Sequence, residues 1–171
     1  DYIGYITVDL TLIASQGLVT AEYITDFDDL GSITIAPNIA EIDRSDEART
    51  AKINVSISNN YPETVSEVKI LGRVPYEGNK YILNNNDLNS EYTAYIKGAI
   101  TIPSDLQQGT TVFYSEKETP TKDLTDENNG WIQTVTDWTK IKSYLIDLGD
   151  YVLRNKETKI FSYEVEVPAK T

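Results

Sequence analysis

Residues 52–57 read Lys-Ile-Asn-Val-Ser-Ile, with Ile53, Val55 and Ile57 on one face and Lys52, Asn54 and Ser56 on the other. Strict alternation of this kind fits a β-strand with one buried face. The same pattern recurs over 159–168, where Phe161, Tyr163, Val165 and Val167 oppose Ser162, Glu164 and Glu166. Shorter runs rich in Val, Ile, Thr and Tyr lie at 5–14, 18–25, 32–37, 66–75, 90–103, 110–115, 131–138 and 141–148, with turn residues between them. "SQG" between 5–14 and 18–25 predicts a hairpin, and Gly98 marks a bulge or bend inside 90–103. The segment 137–148 is the best helix candidate, yet its β-branched and aromatic residues suit a strand equally well.

Roughly eight to ten short strands with little or no helix predict an all-β fold, an antiparallel Ig-like β-sandwich, with a barrel as the alternative. A composition shift near residue 26 divides the chain into residues 1–30 and residues 31–171. The first part is an N-terminal β-hairpin, forming edge strands of the same sandwich or part of an adjoining module. Membership of the sandwich is the expectation, because an isolated hairpin is marginal in water.

Composition then removes whole classes of chemistry. The chain has 171 residues and no Cys, His or Met, so thiol and imidazole ligation and Ser–His–Asp catalysis are excluded. A formal charge of −12 argues against nucleic acid and against anionic membrane surfaces. No run approaches the roughly 18 apolar residues that span a bilayer, and "DYIGYITVDL" has no basic n-region of a signal peptide. Glycine-rich phosphate loops are missing too, which argues against a nucleotide site.

What remains is carboxylate, hydroxyl and aromatic chemistry. Acids cluster in "DFDDLG" (26–31) and "DRSDE" (43–47), where solvated turns explain them better than a catalytic pair. "DLTDENNG" (123–130) offers Asp123, Asp126 and Asn128 as candidate calcium ligands, together with Glu127 and Asn129. Its spacing departs from the EF-hand: Gly130 comes fifth rather than sixth, and Asp137 stands where a bidentate Glu belongs. Trp131 and Trp138, at the ends of one expected strand, are candidate platforms for stacking on a sugar; packing into the core is the competing role. "NNND" (84–87) reads as a loop, and the sequon at Asn54 lies within a strand.

From about residue 50 onward the chain resembles a known kind of module. "KINVSISNNYPETVSEVKILGRVP", "TTVFYSEKETPTKDL" and "GWIQTVTDWTKIKSYLIDLGDYVLRNKETKIFSYEVEVP" are similar to the Ig-like repeats of large Gram-positive wall-anchored surface proteins. The resemblance spans about 120 of the 171 residues and rests on a spaced pattern rather than a catalytic motif. It implies a non-enzymatic stalk domain of a bacterial cell-surface adhesin, extracellular, touching neighbouring domains of the same protein and requiring no cofactor. The alternative it leaves is a binding module for a glycan or host protein, using loops at one end of the sandwich. A sorting motif is not seen, as expected of an internal segment. A Lys–Asn cross-link is not expected either, since "KIFSYEVEVP" holds no Asn and Lys52 lies on a polar face.

Overall fold

The structure, a computed structural model, describes residues 2–7, 10–13, 19–27, 31–33, 39–44, 48–60, 62–74, 76–78 and 93–169. Its strands are β1 (Tyr2–Thr7), β2 (Leu10–Ile13), β3 (Val19–Phe27), β4 (Gly31–Ile33), β5 (Ile39–Arg44), β6 (Arg49–Asn59) and β7 (Lys69–Arg73), followed by β8 (Tyr95–Ile96), β9 (Thr111–Ser115), β10 (Ser143–Asp147) and β11 (Thr158–Val167). Two single-turn 3₁₀ helices, Glu127–Asn129 and Trp138–Lys140, are the helical elements among the described residues. The amide cluster 84–87 and the acids at 28–29 and 46–47 lie outside those residues.

Nine strands form a four-stranded sheet, β2-β7-β10-β9, and a five-stranded sheet, β4-β3-β6-β11-β8; β1 and β5 pair separately. Every strand pair is antiparallel. The alternation read from the sequence fixes the inner faces. Ile53, Val55 and Ile57 of β6 sit beside Phe161, Tyr163 and Val165 of β11 on one side of the core. Ile70 of β7, Tyr114 of β9, and Tyr144 and Ile146 of β10 face them from the other sheet. Tyr144 and Tyr163 meet across the interior with ring centroids 5.3 Å apart, tilted 61° to each other. Burial and the neighbouring Tyr144 hydroxyl hold the Tyr163 phenol well above its ordinary pKa. The expected all-β sandwich is therefore the fold.

Three local expectations are corrected. Residues 5–14 are not one strand: β1 and β2 end and begin at Thr7 and Leu10 and belong to different sheets. The hairpin of 5–14 with 18–25 does not form, because β2 pairs with β7 while β3 pairs with β6 and β4. β2 and β3 therefore belong to different sheets. Residues 131–138 are not a strand either; Ile132 alone bridges to Tyr114, and Asp137 caps the 3₁₀ turn that follows. The candidate helix at 137–148 resolves into that turn and strand β10.

One irregularity breaks the five-stranded sheet. The Lys97 N–H donates to the Glu164 carbonyl at 2.8 Å, and Thr101 and Ser162 exchange backbone bonds of 2.7 and 3.2 Å. Two steps along β11 are thus matched by four along 97–101. Gly98 and Ala99 are the excess, a bulge at the place where Gly98 predicted one.

Candidate functional site

Residues 116–131 hold the candidate calcium ligands and Trp131. The segment does not project freely from the sandwich. Ser115 and Ser143, register partners on β9 and β10, point away from the core yet are fully buried. The Ser115 hydroxyl donates to the Asn129 carbonyl (2.6 Å), and the Ser143 hydroxyl donates to the Lys117 carbonyl (2.8 Å). Two side chains of the sheet therefore tie both ends of the loop down.

Asn129 organises its interior. Its side-chain oxygen accepts from the Thr121 N–H (2.9 Å), and its amide donates to the Thr121 hydroxyl and the Asp123 carbonyl (2.8 Å each). Gly130 follows at φ 61°, closing the 3₁₀ turn with an N–H to the Glu127 carbonyl. The acids are turn formers. Asp123 Oδ1 accepts from the Thr125 N–H and hydroxyl, and these bonds lower its pKa. Asp126 Oδ1 accepts from the backbone N–H and side-chain amide of Asn128 (2.9 and 3.0 Å). Among the described residues no three acidic side chains converge in a way that could hold a metal ion. The structure thus places Asp123 in one Asx turn and Asp126 and Asn128 in a second.

The tryptophans have separate tasks. Trp131 donates its indole N–H to the Thr121 carbonyl at 2.8 Å, closing the loop on itself. Trp138 packs edge-on against Tyr114, with centroids 4.9 Å apart and planes at 86°. Tyr114 in turn accepts the Ile100 N–H at its hydroxyl (2.8 Å), and burial raises its pKa. Trp138 is half-buried against the core. Neither indole is offered whole to a ligand.

Two polar groupings escaped the sequence reading. Lys159, on the core side of β11, contacts the Asp105 carboxylate of turn 104–109, lies 3.5 Å from Glu157 Oε1 and stands 5.7 Å from the centre of the Tyr151 ring. The Tyr151 hydroxyl bonds to Glu157. The hydrogen bond to Asp105 raises the Lys159 pKa and lowers that of Asp105. Burial pushes Glu157 up, but its bonds from the Tyr151 hydroxyl and the Arg154 N–H and the nearby Lys159 charge bring it below its ordinary value. The amine is held protonated, the opposite of what nucleophilic attack on a carboxyl needs. The second grouping is a recess of about 320 Å³ beside the Gly98–Ala99 bulge, lined by Lys52, Lys97, Thr101, Ser162 and Glu164. Each is completed by a distant pairing, Lys159 with Asp105 and Glu164 with Lys52, so local sequence does not bring its members together.

No family model, curated protein or solved structure matches this chain. Among the described residues no helix is long and apolar enough to cross a membrane.

Proposed function

We propose that this chain is a non-enzymatic spacer domain of a bacterial cell-surface adhesin, working outside the cell and bearing load between neighbouring domains. One observation carries the reading: the way β11 is built into its sheet. It pairs with β6 along its entire length, from Thr158↔Ser58 to Val167↔Arg49, and its other edge is held by β8 and by Thr101. A chain leaving the domain at Val167 leaves from an interior strand. Tension there must break ladders on both sides together rather than peel an edge. The internal use of Asp123, Asp126, Trp131 and Trp138 supports the same reading, since a spacer needs ordered loops but no ligand at its ends. The resemblance to wall-anchored repeats supplies the setting.

Stretching single domains between attachment points at residues 2 and 168 tests the role. The expected record is one cooperative rupture without an intermediate. Early, separate release of β11 at low force would overturn it. Antibody labelling of intact producing cells tests the location, and a signal that emerges only after lysis counts against it.

A further inference from the structure

We propose that the recess beside the Gly98–Ala99 bulge binds a sugar unit carrying a single carboxylate. The site lies on the outer face of the five-stranded sheet, away from the loops considered above. A regular ladder would close the space between β11 and residues 97–101. The bulge opens it to about 320 Å³, near the lower end of the ~300–1,000 Å³ usual for small-molecule sites.

Its walls state the ligand's chemistry. Lys52 and Lys97 supply two ammonium groups on a chain whose net charge is −12. The Lys97 amine is steadied by donating to the Thr50 hydroxyl at 2.9 Å, which leaves it further hydrogens to donate. Lys52 stands directly opposite Glu164 in the β6–β11 register. These cations call for one anionic group. Thr101 and Ser162 add hydroxyls that donate or accept, and Glu164 adds an acceptor. Glu164 would repel a polyanion but suits the hydroxyl hydrogens of a sugar. Tyr95, register partner of Glu166, is exposed on the same face two residues along the strand. Its ring offers the apolar surface that a pyranose stacks upon. A carboxylate, adjacent hydroxyls and an apolar ring face occur together in uronic and sialic acids. An acidic peptide shares only the first of these.

The test is a ¹⁵N–¹H NMR titration with glucuronic acid at low salt, with glucose, acetate and a hexaglutamate peptide as comparison ligands. Saturable shifts are expected at the amides of 97–101 and 162–164, with Kd on the order of 1 mM for so open a site. Glucose and acetate should each bind at least ~10-fold more weakly, since each lacks one half of the recognised chemistry. The variant K52Q/K97Q, altered at two exposed positions, should keep its spectrum elsewhere and lose at least ~10-fold in affinity. Four outcomes overturn the proposal: no saturable shift, acetate binding as tightly as glucuronic acid, tighter binding of hexaglutamate, or an unaffected double variant. The spacer reading is untouched by any of them, because it rests on the pairing of β11 with its neighbours and not on a ligand in this recess.

Discussion

The ring of Tyr144 lies directly over Gly72, its register partner on β7. A Cβ built at position 72 would stand 2.2 Å from Tyr144 Cζ and 2.3 Å from its hydroxyl oxygen. The largest fully buried side chain of β10 thus fits only because its neighbour has none. Gly72→Ala is expected to destabilise the domain by about 2–3 kcal/mol through overpacking. Chemical denaturation would measure it. Tyr144→Leu should recover part of the loss in the Gly72→Ala background, so the two substitutions should be strongly non-additive. Additive effects would show that the crowding lies elsewhere.

Asn129 joins Thr121, Asp123 and Ser115 within one loop. Asn129→Ala leaves the Thr121 N–H and the Asp123 carbonyl without their partner, at a cost of about 2 kcal/mol. Opening should be local, so trypsin should cut at the exposed Lys117 and Lys122 faster in the variant than in wild type. Equal cleavage rates would mean that the loop is held by its serine ties alone.

Calcium should matter little here, because one carboxylate oxygen of Asp123 and one of Asp126 are already engaged in separate turns. Adding millimolar calcium should shift Tm by less than about 1 °C, whereas a site of even extracellular affinity would raise it measurably. A clear calcium-dependent rise, lost in Asp123→Asn, would restore the metal reading.

Tyr114→Phe removes the acceptor of the Ile100 N–H, which is buried. The expected loss is about 1–3 kcal/mol, the cost of an orphaned buried donor. Amide exchange at Ile100 should rise more than at residues of β10. The substitution should also slacken the return of the 97–101 segment to its sheet.

Acid should loosen the Asp123 turn. Its folded pKa is depressed by hydrogen bonds to Thr125. Its contribution is therefore present above the unfolded value near 3.9 and lost as pH falls through the folded one. Below about pH 4 the stability of wild type should fall more steeply than that of Asp123→Asn, whose amide oxygen caps the turn at any pH. Parallel curves would remove Asp123 from the acid response.

The strands that decide the core were legible in sequence. Ile53, Val55 and Ile57, and Phe161, Tyr163 and Val165, alternate without interruption, and each set is fully or almost fully buried. Local pattern was less informative where the chain changes layer. Nothing between Ile13 and Val19 tells which sheet each flanking strand will join, because that depends on partners β7 and β6, tens of residues away. Residues 131–138 imitate a strand, but Asp137 accepts from the Thr139 N–H and hydroxyl and turns the chain instead. The candidate ligands could be read as residues but not as turns, since Asp and Asn serve Asx turns as readily as metal ions. The recess by Gly98 was half visible: the bulge could be read, but its lysine neighbour Lys52 comes from another strand.

The interior position of β11 also sets an order of events during synthesis. Its partner β6 is made about a hundred residues earlier, and β8 well before it. Until Val167 has left the ribosome, both must wait with an open edge facing an empty slot. Half a domain is therefore a hazard, since exposed strand edges recruit other chains. A cell making many such domains in a row would gain from keeping each nascent one apart from its neighbours until its last strand arrives.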